Sequence, residues 1–200
     1  MENLTGTEIS AVIDGMKIHT SDRVMMSIML HDVVFDNQKA IFDLVFLGHA
    51  RPASALLRVI FEAHVKGVWL YSCATEEQVF QFKQDRVKSI SNPKRDITIN
   101  EIVSAIETRM PHLNGTLSGF KERYWKGLNC LTHSGTMQFS YEFIDDEMKG
   151  QYSSDYSKSL LDFSDRFAIS SLGYVGKIVG CEKIIKCSLK LSKERFGLEI

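Results

Sequence analysis

Between Pro52 and Cys73 the only charged side chains are Arg58, Glu62 and Lys66, and they stand at i, i+4 and i+8 in an otherwise apolar run. Proline is welcome in a first helical turn, so Arg51-Pro52 opens a helix there. Leu56, Leu57, Ile60, Phe61, Val65 and Val68 make that helix apolar around most of its circumference, which puts it at the centre of a bundle. At 100° per residue, Arg51, Arg58, Glu62 and Trp69 fall within about 40° of one another, Lys66 sits at the edge of that stripe, and His64 points to a different face. Charges on a largely buried helix must be paired or functional.

The rest of the chain reads as helix too, because apolar residues recur at three and four rather than at two. A first short helix is expected after Thr7. Thr20-Ser21-Asp22 caps a second through Val24, Met25, Ile28, Met29 and Val33 to Phe46, with a bend near Asn37. Thr75-Glu-Glu-Gln78 is a capping box for a fourth helix from about Glu76 to Ile90, broken by Ser91-Asn92-Pro93, and Thr98-x-x-Glu101 starts a fifth that stops before Pro111. Another helix is expected from about Ser118 to Thr132, closing near Ser134-Gly135 with glycine in the C-cap role. An irregular stretch from Met137 to Gln151 leads to a long final helix beginning at Ser154-Asp155. Gly173, Gly176 and Gly180 share one face of it at a cost in helix propensity, so a close helix crossing is expected there, within one chain or across a dimer. The fold class is therefore all-α: a multi-helix bundle with a long C-terminal helix, in a single domain over residues 1–200. A chain of 200 residues is ample for a sizeable core.

A formal net charge of -1 creates no overall field that would draw the chain to nucleic acid or an anionic membrane, so such binding needs a local patch. The cations Lys183, Lys186, Lys190, Lys193 and Arg195, interspersed with Glu182, Glu194 and Glu199, read as a solvated helix face. Four cysteines, at 73, 130, 181 and 187, form no C-x-x-C pair, and six histidines follow no zinc-ligand rhythm, so neither a metal nor another cofactor is expected. The start of the chain lacks a signal sequence and no run reaches about 18 apolar residues, which points to a cytosolic protein with reduced thiols and no membrane partner.

The ionic stripe admits two readings. Arg58, Glu62 and Lys66 are an intrahelical network at the rim of the bundle, or Glu62 fixes both cations so that their remaining donors hold a phosphate or carboxylate, with Trp69 beside them. A second stripe, Trp125, Asn129 and His133, places an amide and an imidazole near a helix C-terminus. His133 either caps the helix against its dipole or acts as a general acid or base, with Asn129 orienting it or a substrate. Cys130, with no base in register, reads as a core thiol.

Together the segments resemble an uncharacterised bacterial family of helical proteins, a domain of unknown function with the pattern R-P-x-x-E-A-x-x-R-G-x-W-L and, some sixty residues on, L-N-x-x-T-H-G-G. Here these read Arg58-Val59-x-x-Glu62-Ala63-x-x-Lys66-Gly67-x-Trp69-Leu70 and Leu128-Asn129-x-x-Thr132-His133-Ser134-Gly135, over roughly residues 50 to 175. Val59, Lys66 and Ser134 depart from the pattern. More distantly the layout is similar to the HEPN superfamily, helical bundles that include metal-independent ribonucleases of toxin and antiphage systems and inactive binding modules. Their signature is an Arg, four to six residues, then a His. Arg123 stands too far before His133, and Arg58 and His64 match the spacing from different helix faces. The resemblance implies a homodimeric, HEPN-like stress or defence protein that binds or cleaves RNA or a nucleotide. In it His133 is the acid or base, while Arg58 and Lys66 steady phosphate charge. The rival is a non-catalytic interaction module in which the same residues form a buried polar network. The near-neutral charge favours the rival, and the clustered ionic residues favour the first.

Overall fold

The computed structural model describes residues 3–18, 21–89, 91–133, 135–136, 143–144, 147–148 and 152–197. Short polar side chains start most of the helices. Asn3 caps α1 (Leu4–Ile13), Ser21 caps α2 (Asp22–Phe46) and Ser153 caps α7 (Ser154–Val179), each accepting a backbone N–H of the first turn. Thr75 and Thr98 form complete capping boxes with Gln78 and Glu101 at the starts of α4 (Glu76–Phe82) and α5 (Ile99–Arg109). The remaining helices are α3 (Ala50–Ser72), α6 (Thr116–Thr132) and α8 (Glu182–Phe196), with a 3-10 turn at Pro111–Leu113. The one ladder among the described residues is two residues long, β1 (Phe143–Ile144) antiparallel to β2 (Glu147–Met148). The rest of the irregular stretch expected over 137 to 151 lies outside the described residues, as do Thr20 and Ser134.

The architecture is the expected all-α multi-helix bundle, with α3 at its centre. Ile60, Phe61, Val65 and Leu70 of α3 are fully buried. They pack where α2, α5, α6 and α7 surround that helix. Burying one such side chain stabilises by about 1.5–3 kcal/mol, so this helix organises the core. No described helix is long and apolar enough to cross a membrane.

Three boundaries differ from the sequence reading. First, α1 begins at Leu4 rather than after Thr7, because the Asn3 carboxamide takes the cap by accepting the Gly6 N–H at 2.9 Å. Second, α4 stops at Phe82, not near Ile90. Asp85 turns the chain with φ +52°, and the Ile97 N–H reaches the Val87 carbonyl at 2.9 Å, so the segment folds back on itself as a loop with Val87 buried under it. Third, the long C-terminal helix is two helices. Gly180, at φ +65°, ends α7 in the left-handed conformation that glycine adopts without a Cβ penalty, and α8 returns along α7. A Cβ on Gly176 would lie 2.7 Å from Ile185 Cγ1, and one on Gly173 would lie 3.1 Å from Ser188 Oγ. The close crossing foreseen from these glycines is this hairpin within the chain, so they supply no argument for a twofold contact.

Two buried polar clusters stitch the bundle and had no sequence signal. Asp165 of α7 accepts from Thr5 Oγ1 (3.1 Å), Gln38 Nε2 (2.8 Å) and Arg195 Nε (2.9 Å), joining α1, α2, α7 and α8. Elsewhere His31 and His64 lie edge to face, ring centroids 5.7 Å apart, and His64 Nδ1 is 2.8 Å from Ser171 Oγ.

Candidate functional site

On α3 the stripe forms one connected ionic bar. Arg58 Nε donates to Glu62 Oε1 at 2.7 Å and Lys66 Nζ to Glu62 Oε2 at 3.3 Å, the geometry that successive turns of a single helix give to i and i+4. Their side chains are 24%, 25% and 36% exposed in chain order, so the bar is neither sealed in the core nor fully solvated.

The second motif reaches the bar from α6. Leu128 is a core residue, and Thr132 Oγ1 donates to its carbonyl at 2.8 Å while lying 3.5 Å from the Ala55 carbonyl of α3. That contact registers the end of α6 against the first half of α3. His133, exposed at the C-cap of α6, then sits with Nε2 2.6 Å from Arg58 Nη1. A guanidinium only donates, so Nε2 accepts and the ring proton is on Nδ1. Two turns earlier on α6, Trp125 lies under the same guanidinium, with Arg58 Cζ 5.1 Å and Lys121 Nζ 5.4 Å from its ring centroid. Arg58 is therefore the junction of the site, holding Glu62, His133 and Trp125 at once.

Two open hollows meet at the bar, and Arg58, Glu62 and Lys66 line both. One, of about 470 Å³, faces α5 and the α4–α5 loop, with Trp69, Ile102 and Trp125 among its apolar lining and Asp85 and Asp96 on the loop wall. The other, of about 440 Å³, faces α2, lined by Leu30, Val33, Val59 and Ala63 and closed at one end by His133. The first is aromatic and the second aliphatic.

Of the residues singled out from the sequence, Arg58, Glu62, Lys66 and His133 converge. Trp69 belongs to the lining of the aromatic hollow but is 2% exposed, so it offers only an edge. Asn129 does not join them: it is half-buried, lines neither hollow, and makes no side-chain hydrogen bond among the described residues. The side chain that α6 contributes beside His133 is Trp125, which lies one turn before Asn129. His64, as expected, faces away from the bar. Sequence reasoning missed Lys121, whose i, i+4 spacing to Trp125 was a usable signal, and Asp85 and Asp96, which lie in a loop where no periodicity marks them.

The motif glycines have a steric reason. A Cβ on Gly67 would sit 3.0 Å from His31 Nε2, and one on Gly135 would collide with Cys130 Sγ. Gly67 thus lets the His31 ring pack beneath α3, and Gly135 lets the chain turn across Cys130 just after His133. Burial raises the pKa of the Cys73 and Cys187 thiols. Among the described residues no group of three or more His, Cys, Asp or Glu side chains is placed to hold a metal ion.

The model of a family of unknown function, DUF6988, matches residues 31–194. The chain belongs to this family. No curated protein and no solved structure matches it. The DUF6988 match spans α3, α6 and the α4–α5 loop, and so takes in the whole bar, His133 and the tryptophan pair. It leaves out α1, which touches the site nowhere.

Proposed function

We propose that this chain binds RNA or a nucleotide at the ionic bar, with Arg58 and Lys66 holding phosphate and His133 serving as acid or base in metal-independent cleavage, after the manner of HEPN-like proteins of bacterial stress or defence. The observation that carries this reading is the convergence of both motifs on one half-buried cation. Arg58 stands between a carboxylate and an imidazole at the mouth of two hollows. A guanidinium at the phosphate, with a proton acceptor and a proton donor beside it, is the set of groups that phosphodiester cleavage without a metal needs. Lys66 keeps donors beyond the one it gives Glu62, and at the bar Arg58, Lys66 and Lys121 outnumber the Glu62 carboxylate between the first two, while Asp85 and Asp96 carry negative charge on the loop wall. The homodimer rests on the HEPN resemblance alone, since the glycines that also suggested it are spent on the α7–α8 hairpin.

One observation favours the rival, a non-catalytic interaction module: Glu62 uses both oxygens on its neighbours and His133 Nε2 is already met by Arg58. A His133→Ala variant separates the two readings. Because the ring is exposed, the cleavage reading expects a thermal melt close to wild type and a loss of RNA degradation of about 10²- to 10⁴-fold. The module reading expects the same near-wild-type melt and no RNA degradation by the wild type to lose.

A further inference from the structure

We infer that the ligand is a single-stranded RNA chain bound so that one phosphodiester rests on the bar and the nucleosides on its two sides occupy the two hollows. This rests on the reading of the bar as a phosphate site, and adds the register of the chain across it. The same three side chains, Arg58, Glu62 and Lys66, form a shared wall between the hollows, so a ligand reaching from one to the other must pass over the cations. A free phosphate or a mononucleotide would leave at least one hollow empty, whereas a phosphodiester carries a nucleoside on either side.

The linings agree with that placement. Each hollow, at about 470 and 440 Å³, falls in the size range of small-ligand sites and is mostly apolar away from the bar. In the first, Asp85 and Asp96 stand on the loop wall, Asp96 paired with Lys88 at 2.6 Å, and the like charge of Asp85 drives a phosphate away from that wall and back to Arg58 and Lys66. The same carboxylates accept hydrogen bonds from ribose hydroxyls or from the exocyclic amine of a base. Trp125 supplies a ring for stacking, which tolerates any base because every base has a π face. The second hollow has Leu30, Val33, Val59 and Ala63 to cover the neighbouring nucleoside, with His133 at the phosphate end. A duplex cannot use this arrangement, since its bases are paired and stacked on each other.

The chain's only two tryptophans, Trp69 and Trp125, both line the first hollow, which makes their fluorescence a reporter of its occupancy. The experiment uses the full chain and a cleavage-proof probe, the 2′-O-methyl adenine dinucleotide joined by one phosphodiester. Two further probes have the base removed on one side or the other. Each abasic probe should bind about tenfold more weakly than the parent, as loss of one stacked or buried base implies. Only one of the two should lose the tryptophan quench. In a Trp125→Leu variant, removing that particular base should cost nothing further, while removing the other should still cost about tenfold.

Equal binding of all three probes, abolished by Arg58→Gln, would overturn the two-hollow register while leaving the bar as a phosphate site. Binding of none of them, or binding unaffected by Arg58→Gln in a protein with a wild-type melt, would overturn both. Parity between the parent probe and adenosine monophosphate would limit the ligand to one nucleotide and also overturn the register.

Discussion

Taking the protein from pH 7 to pH 5 should cost it about 4 kcal/mol of folding stability, and two buried histidines account for the loss. His31 is fully buried and neither ring nitrogen has a hydrogen-bond partner among the described residues, while His64 is 3% exposed and bonded to Ser171. Burial, with His64 nearby, pulls the His31 pKa down from 6.5 to about 3, and burial pulls His64 down to about 4. In the unfolded chain both titrate near 6.5, so below that pH the unfolded state takes up protons that the folded state refuses. Stability is therefore complete above about pH 6.5 and falls by about 1.4 kcal/mol per pH unit for each histidine as the pH drops toward their folded values. Ordinary carboxylates titrate lower, so the interval from pH 6.5 to 5 reports mainly on the six histidines, and the variant below assigns the share of the buried pair. Urea denaturation at several pH values checks this. A His31→Phe variant, which keeps a ring beneath Gly67, should show about half the slope, and a wild type equally stable at pH 7 and pH 5 would refute it.

Replacing Arg195 by Ala should destabilise by about 3 kcal/mol, a large effect for a side chain 40% exposed on the last helix. The reason lies at the other end of the pair. The Asp165 side chain is 4% exposed, and removal of Arg195 strands a buried carboxylate with only the neutral donors Thr5 and Gln38. Removing both charges together, as Asp165→Leu with Arg195→Met, should recover part of the loss, because no buried charge remains while Thr5 and Gln38 lose their acceptor. Chemical denaturation of the wild type and the two variants decides the point. A loss under about 1 kcal/mol for Arg195→Ala would mean that water reaches the carboxylate freely.

The legible parts of the fold were those encoded locally. The capping boxes at Thr75 and Thr98 fixed two helix starts, and the apolar circumference of residues 52–73 marked the central helix, because caps and periodicity act within a turn or two of chain. The end of α4 and the break at Gly180 were not legible, since each depends on what packs against the segment: Val87 with Ile97, and Ile185 with Gly176. In the site, the bar followed from i, i+4 spacing alone. Pairing His133 with Arg58 instead of with Asn129 required the crossing of α6 over α3, a tertiary fact set by Thr132 and Leu128. Asp165 with Arg195 was hidden in what reads as a solvated basic helix, because one buried carboxylate on a neighbouring helix leaves no mark in the sequence of α8.

The salt dependence of single-stranded RNA binding tests the bar most directly. A cleavage-proof 2′-O-methyl oligonucleotide is titrated into the wild type and into an Arg58→Gln, Lys66→Gln double variant at several salt concentrations, with melting curves confirming that both are folded. Each phosphate neutralised on a single strand contributes about 0.7 to the slope of log affinity against log salt. The variant should bind more weakly, with a slope shallower by about 0.7 to 1.4, according to whether the two cations share one phosphate. Identical slopes and affinities for the two folded proteins, or no binding by either, would contradict a phosphate site at Arg58 and Lys66.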